Sequence, residues 1–333
     1  MQRVQTDYQP ISKLVLAYPE RFYNGYDELV PFYDELISLI PEELTIWAIT
    51  NNDQTSDKLQ DKFSHRQLNT FGIRGWDELW LRDCIGINKG TSVIKPEYYP
   101  SYCDGDLTKY YNKIKKKSRT IISGCLEKEI IDLPLKLDCG NFVCNDKYVY
   151  LTDKVLKENN DLGEIHIKQI LNAVTGLTPI FIEENISDPI GHMDGYMTFI
   201  DDNRALVATY PSFPFFKNDI DFITRLEEDL KSKGIEVIKI YDRPVGEGAN
   251  NCGCNGKLDS SCFFSARGVY INYLQLNRTI ILPEYTLPTK RETNFYNKVN
   301  QEILEGQGFE VKRINCDLLS KFGGVLHCIS FTA

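Results

Sequence analysis

"DGYMTFIDDNRALVATY" at 194–210 joins two β-rich runs through a polar Asp/Asn turn, the pattern of a β-hairpin. Beyond it, "FITRLEEDLKSKG" (222–234) carries apolar residues at helical spacing and "IEVIKIY" (235–241) reads as one more strand. The whole is a hairpin-helix-strand unit. The same plan recurs from "GNFVCNDKYVYLTDKV" (140–155) and from "RGVYINYLQLNRTIILPEY" (267–285), the latter followed by "ETNFYNKVNQEILEGQG" and "FEVKRI". A weaker copy begins at "LWLRDCIGINKGTSVI" (79–94), where Asn-Lys-Gly supplies the turn and the helix is harder to see.

The two ends of the chain complete the series. "KLVLAY", an amphipathic stretch near 26–40 and "LTIWAI" stand at one end, and "VLHCISF" waits at the other. Pairing the last strand with the first makes a fifth unit, closes a ring and hides two sheet edges at once. The expected architecture is therefore a five-fold pseudo-symmetric α/β propeller, with a generic α/β sheet as the plainer alternative. No composition break or Gly/Ser-rich linker divides the chain, so residues 1–333 are read as one domain. "GEGANNCGCNGKLDSS" (246–261) reads as a loop insertion near 244–264.

Composition narrows the function. At 333 residues, 42% hydrophobic and 12% aromatic, the chain can bury a sizeable core. A formal charge of -9 repels polyanions and favours a small cation, so nucleic acid is not the expected partner. The basic run "KIKKKSR" (113–119) reads as a solvated helix face. Neither a bilayer-length apolar run nor an export signal is found, and ten scattered cysteines suit reduced thiols, so a cytoplasmic location is expected. Cys252, Cys254 and Cys262 lack the spacing and histidine partners of a zinc site, and no metal or cofactor is expected.

Polar residues rare in strands sit near the start of each unit's first strand: Arg82-Asp83, Asp138 with Asn141, His192 with Asp194, Asn272, and His327-Cys328. In a closed ring these positions converge. A thiolate is a nucleophile, a histidine exchanges protons near neutral pH, and two or three carboxylates grip a planar cation. That set matches a guanidinium group. Carboxylates beside a thiol would suit an ester or amide poorly, because they raise the thiol pKa and offer no oxyanion donors. Adjacent residues of a strand point to opposite faces, so His327 is expected to be structural.

"WLRD" (80–83), "LDCGN" (137–141), "GHMDG" (191–195), "YINYLQ" (270–275) and "GGVLHCIS" (323–330) together resemble, in order, the motifs of the agmatine deiminases and the Porphyromonas-type peptidyl-arginine deiminases. The resemblance spans nearly the whole chain, and it implies the pentein fold of five hairpin-helix-strand units. It also implies Cys328 as nucleophile, His192 as general acid and base, and Asp83 and Asp194 as the guanidinium clamp. Trp80 would line the substrate pocket. Asp138 stands where agmatine deiminases carry a glutamate followed by two glycines, and Asn272 matches an asparagine of the peptidyl enzymes. The Trp-Gly-Gly stretch usual in agmatine deiminases is absent.

The expected reaction is hydrolysis of a guanidine with release of ammonia through a covalent intermediate on Cys328. The alternatives are a peptidyl-arginine deiminase, an amidinotransferase and a propeller that only binds a guanidinium. The expected partner is a small cationic guanidine such as agmatine, with a homodimer admitted. Its distal amine calls for a further carboxylate, for which Asp188, Glu183 and Glu184 are placed in sequence. A peptide ending in arginine would instead call for a basic residue such as Arg243 or Arg267.

Overall fold

A computed structural model of the protein describes residues 3–22, 25–103, 108–245 and 265–333. The first strands, β1 (Lys13–Ala17), β2 (Thr45–Thr50) and β3 (Leu68–Gly72), run parallel, with crossover helices at Val30–Leu39 and Asp53–Lys62. Four units of a single plan follow. They are β4 (Ile87–Lys89), β5 (Ser92–Glu97) and β6 (Glu129–Lys136); β7 (Val143–Cys144), β8 (Tyr148–Thr152) and β9 (Thr178–Ile182); β10 (Met197–Phe199), β11 (Arg204–Thr209) and β12 (Glu236–Tyr241); β13 (Leu274–Leu276), β14 (Thr279–Glu284) and β15 (Glu310–Asn315). Each begins with an antiparallel hairpin, and its third strand lies parallel to the second.

The parallel step needs a crossover, supplied by the helices Thr108–Thr120, Glu164–Thr175, Lys217–Ser232 and Lys290–Gly306. Middle strands are buried along nearly their whole length, as in "RALVAT" of β11 and "TIILPE" of β14, because each pairs on both edges. The basic run lies on Thr108–Thr120, which buries only Ile114 and Ser118, so it is the solvated face expected.

Local chemistry sets the boundaries. Thr289 caps its helix by accepting from the Glu292 amide at 3.1 Å while its hydroxyl donates to the Glu292 carboxylate at 2.8 Å. Asn277 turns the last hairpin at φ 57°, a conformation asparagine tolerates. Its side chain accepts from the Ile11 amide at 2.8 Å and donates to the Ile11 carbonyl at 3.2 Å, fastening the N-terminal segment to that turn.

The final strand, β16 (Ser330–Thr332), pairs antiparallel with β1, Leu14 opposite Thr332 and Leu16 opposite Ser330. One sheet therefore holds both ends of the chain, as the apolar tail suggests. That sheet has four strands, not three. The extra helix, "DQTSDKLQDK", buries only Thr55, Ser56 and Leu59 and so carries too weak an apolar stripe to be read from sequence.

A second correction concerns the tail. His327 and Cys328 lie in a turn, not in the strand, since Ser330 N–H returns to the His327 carbonyl at 3.2 Å and Ile329 N–H to that of Val325. Strand alternation does not apply there, and the two side chains are not sent to opposite faces. No helix among the described residues is long and apolar enough to cross a membrane. Most of the proposed loop insertion, with Cys252, Cys254 and Cys262, lies outside the described residues.

Candidate active site

Every sheet contributes from an equivalent place, the turn or short helix just ahead of its antiparallel edge strand. Asp83 sits on the single-turn helix Leu81–Ile85 ahead of β4, Asp138 and Asn141 flank the turn ahead of β7, and His192 and Asp194 the turn ahead of β10. Asn272 precedes β13 and Cys328 precedes β16. All of these are buried except Cys328, which is partly exposed.

Two glycines make the convergence feasible. Gly140 N–H donates to Asp83 Oδ1 at 2.9 Å, and a Cβ on Gly140 would stand 2.6 Å from that oxygen and 2.8 Å from His192 Nδ1. Gly323 ends a 3₁₀ turn at φ 96°, and a Cβ on Gly324 would stand 2.4 Å from Trp80 Cζ3. The double glycine of the tail thus reverses the chain and admits the Trp80 ring beside the cysteine turn. Asn141 Oδ1 accepts from the Thr152 amide at 2.8 Å and the Met193 amide at 3.2 Å, which fixes the histidine turn against the neighbouring sheet.

His192 stands between carboxylates, with Nδ1 3.4 Å from Asp83 Oδ1 and Nε2 3.3 Å from Asp138 Oδ2. Burial opposes the charged ring, but Asp83 and Asp138 outweigh it and raise its pKa to about 9. Asp83 is itself raised to about 6, by burial first and then by Asp138 and Asp194, against the pull of His192. Asp138 also accepts from the Tyr99 amide at 3.2 Å, so its second oxygen is held towards His192.

Cys328 Sγ lies 3.4 Å from Asn272 Oδ1 and 3.8 Å from Asp194 Oδ2. Burial and the carboxylates of Asp194 and Asp83 push its thiol well above the ordinary range. The free site therefore holds a thiol and an imidazolium beside Asp83 and Asp194. A planar cation between Asp83 and Asp194 would offset those carboxylates and favour the thiolate.

These groups open into a cleft of about 500 Å³, lined among others by Trp80, Tyr102, Asp188 and Asp219. Asp188 Oδ2 accepts from the Tyr196 hydroxyl at 2.8 Å, and Asp219 Oδ1 accepts from Asn185 at 2.8 Å. Glu183 and Glu184 do not line it, and Glu184 pairs with Lys157 at 2.8 Å. Arg243 is bound to Glu292 at 2.9 Å and Arg267 to Asp317 at 3.3 Å. Arg82 pairs with Asp7 at 3.1 Å, not with Asp83.

Sequence reading misses Asp7, Tyr102 and Asp219. Asp7 and Tyr102 stand in polar, turn-rich stretches without periodic spacing. Asp219 looks like an ordinary acid of a first helical turn.

A buried histidine among carboxylates and a cysteine beside them, raised on repeated hairpin-helix-strand sheets, define a deiminase-class α/β enzyme. The chain belongs to the Porphyromonas-type peptidyl-arginine deiminase family, whose sequence model matches residues 3–333. It is thus a hydrolase acting on carbon–nitrogen bonds. Among solved structures, C. jejuni agmatine deiminase is similar over 100% of this chain and 96% of its own, with TM-score 0.77 and 15% identity. An Enterococcus faecalis agmatine deiminase is similar over 99% of this chain and 95% of its own (TM-score 0.76, 17% identity). A Pseudomonas aeruginosa DDAH covers 98% of this chain and 100% of its own (TM-score 0.54, 12% identity). At these identities the likeness is one of fold. No curated protein sequence matches the chain.

Proposed function

We propose that this single-domain protein, a five-fold α/β propeller acting in the cytoplasm, deiminates a small free guanidine of the agmatine type. The observation that carries the reading is the site itself: Cys328 3.8 Å from Asp194, with His192 3.4 Å from Asp83. Asp83 and Asp194 hold the guanidinium flat, and its charge releases the thiol proton of Cys328 to solvent. The thiolate attacks the guanidinium carbon. His192, already an imidazolium, gives its proton to the departing nitrogen, which leaves as ammonia and a cationic thiouronium on Cys328. His192 then takes a proton from water as the oxygen adds to that carbon. Collapse breaks the carbon–sulfur bond, the hydroxyl proton is lost, and the ureido product departs.

Asp188 and Asp219 on the cleft wall support an amine at the far end of the substrate. The occupied state of Arg243 and Arg267 speaks against a peptide carboxylate. Peptidyl arginine remains the second reading, favoured by the cleft volume of about 500 Å³. Ammonia release measured with agmatine, free arginine and an arginine peptide tests both. The proposal expects the highest kcat/KM for agmatine, and a peptide preferred by more than about tenfold, roughly 1.4 kcal/mol in the transition state, overturns it.

A further inference from the structure

Behind the cysteine turn, Asp194 is continued by charges that the reaction above does not use: His327, Asp7 and Arg82. His327 Nδ1 is 2.7 Å from Asp194 Oδ2, and its Nε2 is 3.3 Å from Asp7 Oδ2. The other oxygen of Asp7 is 3.1 Å from Arg82 Nη1, and Arg82 N–H donates to the Cys328 carbonyl at 3.1 Å. An imidazole that faces an acceptor-only carboxylate at each nitrogen must carry a proton on both. The same Asp194 oxygen that receives the Nδ1 proton faces Cys328 Sγ.

We propose that Asp7 is a positioning residue: by holding His327 as an imidazolium it keeps a positive charge behind Asp194 and fixes that carboxylate against Cys328. The proposal rests on the catalytic reading of Asp194 and Cys328. The N-terminal segment is placed for this work, because Gln5 N–H donates to the Asn88 carbonyl at 2.9 Å and Asp7 falls in the turn that follows. Without the Asp7 charge, Asp194 alone would oppose Arg82 at His327. The imidazolium would lose its proton at lower pH, and the negative charge around the thiol would grow.

The groups facing His327 are Asp7 from the N-terminal turn, Asp194, and Arg82 from the helix Leu81–Ile85, with Cys328 of its own turn against the same Asp194 oxygen. Cys144 of β7 and Tyr273 ahead of β13 lie near Asp7. Burial and Arg82 both oppose the charged ring of His327, yet Asp7 and Asp194 hold its pKa above the ordinary value. Burial likewise opposes the charged form of Asp7, and Arg82 with His327 reverses this, holding Asp7 below the usual carboxylate range.

The chain has four histidines, of which His65 and His166 are exposed, so the imidazole nitrogens of His327 can be resolved by long-range ¹H–¹⁵N NMR. Wild-type His327 should show two protonated nitrogens at pH 7.5, and a neutral ring there overturns the proposal without any variant. Asp7→Asn, nearly isosteric, should lower the His327 midpoint by about one pH unit or more. It should also cut kcat/KM for agmatine about tenfold at pH 8 and move the alkaline limb the same way, with Asp7→Glu restoring part of each. If Asp7→Asn lowers only the melting temperature, leaving the nitrogen shifts and pH profile unchanged, Asp7 is merely a tie for the N-terminal segment. Absence of turnover with every guanidine would sink the functional reading, while the NMR midpoint would still decide the role of Asp7.

Discussion

Gly140 touches Asp83 so closely that its amide bonds Oδ1 at 2.9 Å, while a Cβ at the same residue would lie 2.6 Å from that oxygen. Real Cβ atoms do not approach so near, so a side chain there must displace Asp83 or His192, or both. Gly140→Ala should fold and yet lose about a hundredfold in kcat/KM, the order expected when a catalytic group moves by an ångström. Steady-state ammonia release beside a thermal melt checks this. Full activity would mean that the two side chains relax without cost.

Trp80 and Gly324 make a second such contact, since a methyl group on the glycine would come within 2.4 Å of the indole. Gly324→Ala should push the indole into the cleft and raise KM more than it lowers kcat. With three tryptophans in the chain, intrinsic fluorescence should report the displacement directly. An unchanged spectrum with unchanged KM would remove Trp80 from the substrate wall.

The proposed clamping of the guanidinium by Asp83 and Asp194 makes a third prediction. Asp83→Asn and Asp194→Asn each remove a charge-assisted pair to the cation, and each should reduce kcat/KM by at least two orders of magnitude. Asp194→Asn should also lower the Cys328 thiol pKa, since Asp194 is among the charges that raise it. Titrating thiolate absorbance in the free enzyme tests the sign, and a rise in that pKa contradicts the account.

Activity should be bell-shaped in pH. It falls on the acid side as Asp83, raised by burial and its carboxylate neighbours, takes a proton near 6. It falls on the alkaline side as His192 loses its proton near 9, where burial is outweighed by Asp83 and Asp138. Asp138→Asn should bring the alkaline limb down. Because His192 is raised in the folded state, its contribution to stability is complete below about 6.5 and is lost as pH climbs through about 9. Melting temperatures across that window should show the loss, and a His192→Gln variant should show less of it, since His327 is raised as well.

The hairpin-helix-strand repeat is legible in the sequence because it is local: alternation, a turn and a helical stripe recur within each unit, as along β10 to β12. The pairing of β16 with β1 is legible for a related reason, an apolar tail that needs a partner. Cys328, His192, Asp83 and Asp194 stand out as polar groups at equivalent places. What stays hidden depends on distance in space alone. Asp7 meets His327 across 320 positions of sequence, and no spacing rule reaches so far. The turn at Cys328 escapes sequence reading because apolar alternation in "VLHCISF" imitates a strand, whereas its hydrogen bonds close locally.

Covalent capture of Cys328, the proposed nucleophile, bears most directly on the central claim. A haloacetamidine carries the planar amidine charge that the clamp should recognise and a carbon that a thiolate can alkylate. Treated protein should gain one adduct, mapped by peptide mass spectrometry to Cys328, with activity lost in step and agmatine slowing both. Among the described residues, the other cysteine lining the cleft is Cys103. Labelling of Cys103 with Cys328 untouched, or labelling of Cys328 that leaves ammonia release intact, would contradict the account.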